Sequence, residues 1–494
     1  MTRPKRPPNL LLIITDQQRA DTVLPGGPCP TPHLESLAAE GTAFRRAYAP
    51  NPICSPTRAS LFTGLLPHAH GMTDVTHAVP PQRAELVDGL PFWTRTLRDA
   101  GYRTGYVGKW HVERSERLEA FGLDEYETDL RLTGVQSHDG PLDPRIAVRQ
   151  DGYKEFLLAG VTDEPADATR ESYLAGRGVD FVQRAASDPD RPWALVVATE
   201  APHDPYLVPR ELYDRIDLDR VPLPESYGDP MTDKPAVYRR IRETWRDLSE
   251  TEVRQAIACY LAACAGIDDQ VGRLLDAVRD TGQEEDTVVV FTSDHGDYLG
   301  AHGLFLKGVP AFEEAYRVPL IVRGPGIRPG ITVDEPVGLI DLGRTLMRHL
   351  LDHEFGGHGR DLGPYLRGER PEGDPVAFAE FHGQRLGYAQ RIVWHDRYKY
   401  VFNGFAEDEL YDLEGDPHER VNLANDPGHA GLLRELAARM WRIVRETGDD
   451  TLGDAQYGMF RFAPVGPEAA TPDAAHRDAA HQDASRPDGD GTKG

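Results

Sequence analysis

Asn9-Leu10-Leu11-Leu12-Ile13-Ile14-Thr15 is an unbroken apolar run of strand length, and it ends abruptly in Asp16-Gln17-Gln18-Arg19. A strand wet on one face alternates apolar and polar residues. A continuous run marks a strand covered on both faces, the central position of an α/β sheet. The same design recurs twice. Trp193-Ala-Leu-Val-Val-Ala-Thr199 runs into Glu200-Ala-Pro-His203, and Thr287-Val-Val-Val-Phe-Thr292 runs into Ser293-Asp294-His295-Gly296. Each buried strand delivers polar groups from its carboxyl end, where open α/β sheets build their sites.

Helical patterns alternate with these strands. Thr251 to Asp280 carries apolar or small residues at Val253, Ile257, Leu261, Cys264, Val271, Leu274 and Val278, close to the 3.6 period. Shorter helices are expected at His33–Glu40, Phe92–Ala100, Ser172–Ala185 and Leu339–Leu350. The predicted fold is therefore α/β, a large doubly wound mixed sheet with helices on both faces. Residues 124 to 169 lack periodicity and are expected to form loops over the site entrance. After Leu366 the texture changes. Short strand-like runs at Val376–Phe381, Ala389–Trp394 and Tyr398–Phe402 precede a helix over Leu432–Arg445, which predicts a small C-terminal antiparallel sheet packed with one helix. The expected division is a catalytic domain at 1–366, an α+β subdomain at 367–463 and a disordered tail at 464–494, where Ala, Asp, Pro and Gly dominate.

The formal net charge of −25 excludes a nucleic-acid binder and a protein that docks on anionic membranes. It also requires a local cationic pocket for any anionic substrate. Four cysteines, Cys29, Cys54, Cys259 and Cys264, are too few for a disulfide framework, and the last two read as core packing. The run from Asn9 to Thr15 is too short to span a membrane, and no cleavage site follows it. A cytoplasmic location is the expectation. Oligomeric state leaves no mark in the sequence, and a homo-oligomer is compatible with it.

Cys54-Ser55-Pro56-Thr57-Arg58-Ala59-Ser60-Leu61-Phe62-Thr63-Gly64 fixes five positions in eleven, as C-x-P-x-R-x-x-x-x-T-G. A free cysteine is ordinarily buried packing; this density of pattern argues otherwise. The segment resembles the signature of the type I sulfatases, in the alkaline phosphatase-like superfamily. The resemblance implies that a maturation enzyme converts Cys54 to Cα-formylglycine (3-oxoalanine). Its hydrate would offer one hydroxyl to attack sulfur and a second whose deprotonation expels sulfate, so one hard step becomes two. It further implies that Arg58 orients the hydrate, and that a helix starting near Ser55 points its amino end at the anionic group.

Gly101-Tyr-Arg-Thr-Gly-Tyr-Val-Gly-Lys-Trp-His111 matches the family pattern G-Y-x-T-x-x-x-G-K-x-H. The resemblance gives Lys109 charge neutralisation at the nucleophile and gives His111 the proton that triggers breakdown of the intermediate. His203, in Ala201-Pro-His-Asp-Pro-Tyr206, resembles the residue at the leaving-group oxygen, a candidate general acid. Lys307 resembles the lysine that holds an oxygen of the bound sulfate. A hydrate must be ionised to attack, which calls for a divalent metal. Asp16, Gln17, Asp294 and His295, at the ends of two strands, are the candidate ligands, with residue 54 as a fifth. Gln17 and His295 depart from the commoner Asp and Asn of the family and resemble the branch with choline sulfatases and phosphonate monoester hydrolases. Ca²⁺ is the family default, and the imidazole moves the balance towards Mn²⁺.

Lys399-Tyr-Val401, Glu409-Leu-Tyr-Asp-Leu413 and Asp416 to Ala424 resemble the C-terminal sulfatase segment, so the likeness spans about 9 to 440. Asp268-Asp269 reads as structural. His68 and His70 are weak candidates to line the pocket, and His349, His353 and His358 are expected to be solvated. The implied activity is hydrolysis of a small sulfate monoester to alcohol and sulfate. The alternatives are a phosphonate monoester or phosphodiester hydrolase on the same site and, with less support, a non-catalytic binder of sulfated ligands.

Overall fold

The computed structural model describes residues 6–23, 27–115, 117–128, 140–453 and 463–467. The strands in chain order are β1 (Asn9–Thr15), β2 (Thr42–Tyr48), β3 (Arg103–Gly108), β4 (Glu125–Thr128), β5 (Arg145–Val148), β6 (Phe156–Thr162), β7 (Trp193–Ala198), β8 (Tyr206–Pro209), β9 (Thr287–Ser293), β10 (Arg317–Arg323), β11 (Ile331–Val333) and β12 (Val337–Gly338), then β13 (Val376–Gln384), β14 (Leu386–His395), β15 (Tyr398–Asn403) and β16 (Glu409–Asp412). The main sheet has the order β11-β2-β10-β9-β1-β7-β3-β4, with β12 also on β2. Strands β9, β1, β7, β3 and β4 run parallel, while β10 is antiparallel to both β9 and β2.

Strand β1 shows why its sequence is continuous. Leu10, Leu12 and Ile14 enter one core with Phe62 and Trp93, and Leu11 and Ile13 enter the opposite core with Leu174, Phe181 and Leu274. Every residue of the strand is buried, and each of its Leu and Ile side chains stabilises by roughly 1.5–3 kcal/mol. Because both faces are apolar, a one-residue slip would not be punished by exposure. Polar groups hold the register instead. The Asn9 amide donates to Thr287 Oγ1 (3.3 Å) and its Oδ1 accepts from the Trp193 N–H (3.2 Å), tying β1 to both neighbours at one end.

The helices fall where periodicity placed them, at Pro32–Ala39, Trp93–Asp99, Arg170–Ala185, Glu250–Asp280 and Asp341–Leu351. Glu250–Asp280 begins with a capping box, Ser249 and Glu252. Asp268, on that helix, accepts from the N–H groups of His33 and Leu34 and so caps the helix Pro32–Ala39, the structural role expected of it. Cys259 and Cys264 are buried and free.

Residues 124 to 169 are not only loops. Strands β5 and β6 pair antiparallel, and β6 runs parallel to β8, forming a separate three-stranded sheet. The charged turn between β5 and β6 interrupts the pattern and hides both strands from a periodicity argument. Most of the expected tail, from 468 onward, lies outside the described residues. His349 and His358 correct another expectation: both are half-buried, His349 against Pro325 O (2.9 Å) and His358 accepting from the Leu66 N–H, and His353 alone of the three is exposed.

Strands β13 to β16 form an antiparallel sheet backed by the helix Ala430–Thr447, with its own core of Tyr400, Phe402, Leu436, Met440 and Trp441. This sheet grips the chain just ahead of Cys54. The Glu380 N–H donates to Pro50 O (2.8 Å), and the Asn51 side chain donates to Glu380 O (2.7 Å). The Glu380 carboxylate, fully buried, accepts from the His68 N–H (3.0 Å) and from His68 Nδ1 (2.5 Å), while His68 Nε2 meets Thr447 O (3.0 Å). Both imidazole nitrogens of His68 therefore face acceptors, so both carry protons. Burial opposes that charge, but the bond to Glu380 outweighs it and holds the His68 pKa up. Burial likewise opposes the Glu380 carboxylate, and Arg391, His382 and His68 outweigh it. The stabilisation from charged His68 is complete below its unfolded pKa, about 6.5, and fades as pH rises through the higher folded value. His68→Gln is expected to cost ~1.5–3 kcal/mol at pH 6, and less at alkaline pH. Urea melts at several pH values check this; a cost that does not shrink with rising pH would contradict a charged His68.

Candidate active site

The carboxyl ends of β1, β9, β3 and β7 lie along one edge of the main sheet, and each delivers site residues. After β1 come Asp16 and Gln17, and after β9 come Asp294 and His295. After β3 comes Lys109, whose N–H donates to Ala198 O on β7 (2.9 Å). Gly108 makes that approach feasible, because it sits at φ +104° and a Cβ there would lie 1.9 Å from Ala198 O. The fifth contribution is the helix Cys54–Thr63. All its residues are buried, its amino end follows extended Ile53, and Gly64 closes it in the left-handed region. Asn51 fixes the entry, with Oδ1 accepting from the Ile53 N–H (3.0 Å) and its carbonyl accepting from Thr57 Oγ1 (2.5 Å).

Cys54 Sγ lies 3.4 Å from His295 Nε2 and 4.0 Å from Asp16 Oδ1. Asp16, Cys54, Asp294 and His295 each present a ligand atom, all within 4.8 Å of one another. His295 Nδ1 meets the Gly296 carbonyl (3.0 Å), which places one proton there and turns Nε2 towards the carboxylates, where a bound cation would take the place of a second proton. Two carboxylates, an imidazole nitrogen and the residue-54 position fit a divalent cation. Gln17 takes a different attitude: its Oε1 accepts from Lys307 Nζ, and its Nε2 donates to Asp297 Oδ2 (2.5 Å) and Asp204 Oδ1 (3.2 Å).

Arg58 is wholly buried and forks across the two carboxylates. Its Nε donates to Asp294 Oδ2 (2.7 Å), Nη2 to Asp16 Oδ2 (3.1 Å) and Nη1 to Lys109 O (2.8 Å). Lys109 Nζ lies 2.7 Å from Asp16 Oδ2. Burial opposes the Asp16 charge, yet Lys109, His203, Arg58 and His295 outweigh it and hold the carboxyl well below its usual range. Asp294 moves the other way, because burial and the neighbouring Asp16 charge both raise it. Burial and Asp16 also resist ionisation of the Cys54 thiol. Lys307, Lys109 and His295 overcome them, so the position favours an anion.

His203 Nδ1 donates to Asp204 O (2.7 Å), and its Nε2 lies 2.6 Å from Lys307 Nζ. Burial disfavours charge on His203, but Asp204 and Asp16 outweigh it and push its pKa up to about 9. His111 stacks on His77, with ring centroids 5.4 Å apart and planes at 8°, and its buried Nδ1 has no hydrogen-bond partner. Its backbone sits at φ +53°, a strained conformation of the kind that collects at functional sites. Cys54, Lys109, His111, His203 and Lys307 line one cavity of about 540 Å³. The expected set is thus gathered at one place, whereas His68 and His70 are not in its lining. His70 Nε2 instead meets Ser60 Oγ (2.9 Å) behind the helix.

Asp297 escaped the sequence reading. It accepts from Gln17 Nε2 and from Tyr206 Oη, both at 2.5 Å, and from the N–H groups of Leu299 and Leu306. With two carboxylates on Nε2, the Gln17 amide can turn only its oxygen to the cationic side. A second carboxylate three residues after Asp294, in the loop behind a buried strand, was the available signal.

A sequence profile described as Sulfatase matches residues 8–353, and one described as N-sulphoglucosamine sulphohydrolase, C-terminal, matches 300–446. The chain is 33% identical to the uncharacterized sulfatase YidJ of Escherichia coli over 434 residues, covering 85% of this chain and 83% of that one. It is 31% identical to a choline-sulfatase of Rhizobium meliloti over 441 residues, with the same coverage, 85% and 83%. Among solved structures, the phosphonate monoester hydrolase SpPMH from Silicibacter pomeroyi superposes with a TM-score of 0.75 at 25% identity, covering 90% of this chain and 96% of that one.

Proposed function

The chain belongs to the sulfatase family and is a sulfuric ester hydrolase, and on that premise we propose that it cleaves a small sulfate monoester with a formylglycine made from Cys54 as nucleophile. The observation that carries the reading is the setting of Cys54 Sγ, which marks where the hydrate oxygens would stand. It lies at the amino end of a buried helix, against Asp16 and His295.

The family implies a divalent metal, and Asp16, Asp294, His295 and residue 54 would hold it, with Gln17 beside them. When bound, such an ion lowers the pKa of a coordinated hydroxyl and withdraws charge from it. Its identity stays with the donor chemistry: calcium by family habit, manganese by the imidazole. Arg58 keeps the two carboxylates charged and fixed. Lys109 and Lys307, both in the cavity lining, hold the anionic oxygens of the ester. His203 holds a proton at Nε2 above neutral pH and delivers it to the leaving-group oxygen. His111 accepts the proton whose loss releases sulfate. Residues 1–366 carry this chemistry, and 367–463 brace it. No described helix is long and apolar enough to cross a membrane, and we assign the protein to the cytoplasm, where a separate maturation enzyme must convert Cys54.

The similarity to SpPMH favours one other reading, the same site acting on a phosphonate monoester. The two separate by the ratio of kcat/KM for 4-nitrophenyl sulfate and for the 4-nitrophenyl ester of phenylphosphonate, with conversion of Cys54 verified by peptide mass. The leaving group is shared, so the ratio reports on the reacting centre. A sulfate preference of about a hundredfold, ~2.7 kcal/mol of differential transition-state binding, is expected. The reverse preference would replace sulfate by phosphonate.

A further inference from the structure

The floor of the cavity is charged and internally matched, but its rim is not. Val75, Trp110, Phe156 and Leu306 supply apolar wall, and Gln384 and Arg385 reach in from the tip between β13 and β14. Both carboxylates in the lining are engaged. Glu200 pairs with Arg170, and Asp204 meets His203 (3.3 Å) and Lys307 (4.0 Å) and accepts from Gln17. Lys109 and Lys307 are engaged as well, with Asp16 and with Gln17 and His203.

Arg385 differs. Its backbone is pinned on both sides, the N–H to Asp74 Oδ2 (2.8 Å) and the carbonyl by Arg83 Nη1 (2.6 Å). It sits in the left-handed region at φ +63°. Its guanidinium pairs with no carboxylate among the described residues, in a chain with 80 acidic and 55 basic residues. The hairpin tip thus holds an exposed arginine, free of a described carboxylate partner, in the lining of the cavity with its backbone fixed on both sides.

We propose that Arg385 recognises a second anionic group on the leaving-group side of the ester, so that the substrates are sulfate esters of acidic alcohols or phenols rather than of quaternary ammonium alcohols. The guanidinium fork matches a carboxylate through two parallel N–H···O bonds. A trimethylammonium group would instead meet an unpaired cation, with both nearby carboxylates already committed. This inference rests on the sulfate-ester reading above, which it narrows.

The test compares wild type with Arg385→Gln on 4-carboxyphenyl sulfate, 4-nitrophenyl sulfate and choline O-sulfate, taking the ratio of variant to wild type for each so that leaving-group reactivity cancels. Arg385→Gln is expected to lower kcat/KM for the carboxylated ester at least about tenfold, chiefly through KM, and to leave 4-nitrophenyl sulfate within about threefold. Arg385→Glu is expected to raise choline O-sulfate turnover relative to 4-nitrophenyl sulfate. Equal losses on all three esters would make Arg385 a bracing residue, and no loss on any would remove it from recognition. Either result overturns the proposal. A wild type that ignores sulfates but cleaves phosphonates would instead unseat the parent reading. The carboxylated and neutral phosphonate pair would then still report on Arg385.

Discussion

Cys54→Ala is expected to lower kcat/KM for 4-nitrophenyl sulfate by about 10⁴-fold or more, with little change in stability. The size follows from what remains. Lys109 and Lys307 still attract and orient the ester, but nothing is left to attack sulfur except water. Binding is then retained while the covalent route is lost, so the loss falls on kcat more than on KM. The small effect on stability follows from where Sγ points, into a cavity lined by charged groups rather than into apolar packing. Thermal melting and far-UV dichroism should coincide with wild type. Activity that survives the substitution would remove residue 54 from the chemistry.

The second large effect is expected at Arg58, and it falls on folding as well as on catalysis. Arg58→Met keeps most of the side-chain volume and deletes the charge, leaving the wholly buried carboxylates of Asp16 and Asp294 without the cation that bridges them. Breaking one partner out of a buried ion network costs about 3–5 kcal/mol. The remaining cations near Asp16 are Lys109, His203 and His295, and the second of these is also needed as an acid. Arg58→Lys is expected to recover little, because three directed bonds go to Asp294, Asp16 and Lys109 O and an ammonium cannot reproduce that planar fork. Urea unfolding of both variants measures the cost. A loss below about 1 kcal/mol in Arg58→Met would mean that the carboxylates are held by something other than this guanidinium.

The strands that carry the site were legible because their chemistry is local. A run such as Asn9–Thr15 can be apolar throughout only if both faces are covered, and the abrupt change at Asp16 marks the end that faces a cleft. Cys54, Arg58, Lys109 and His111 were legible as dense patterns. What escaped depends on partners far along the chain. Strand β2 reads Thr-Ala-Phe-Arg-Arg-Ala-Tyr, and its two arginines hide a strand that pairs with β10 some 270 residues later. Glu380 looks like any glutamate in a short apolar run, and only its contacts with Pro50, Asn51 and His68 give it meaning. Arg385 carries no local signal at all, since its role comes from where a hairpin tip lands.

The grip of β13 on the chain ahead of Cys54 bears on the order of events during biosynthesis. In the finished fold the whole helix Cys54–Thr63 is buried and Cys54 is its one residue in the cavity lining, so another enzyme has no access to the surrounding backbone. The strand that seals this region is made more than 300 residues after Cys54. A ribosome-bound chain with β13 not yet emerged lacks the Pro50 and Asn51 bonds and the His68 pair, and its cysteine segment is free to extend into another enzyme's groove. On the proposed reading, the late position of the C-terminal sheet acts as a clock: conversion of Cys54 by another enzyme would belong to the interval before the sheet docks.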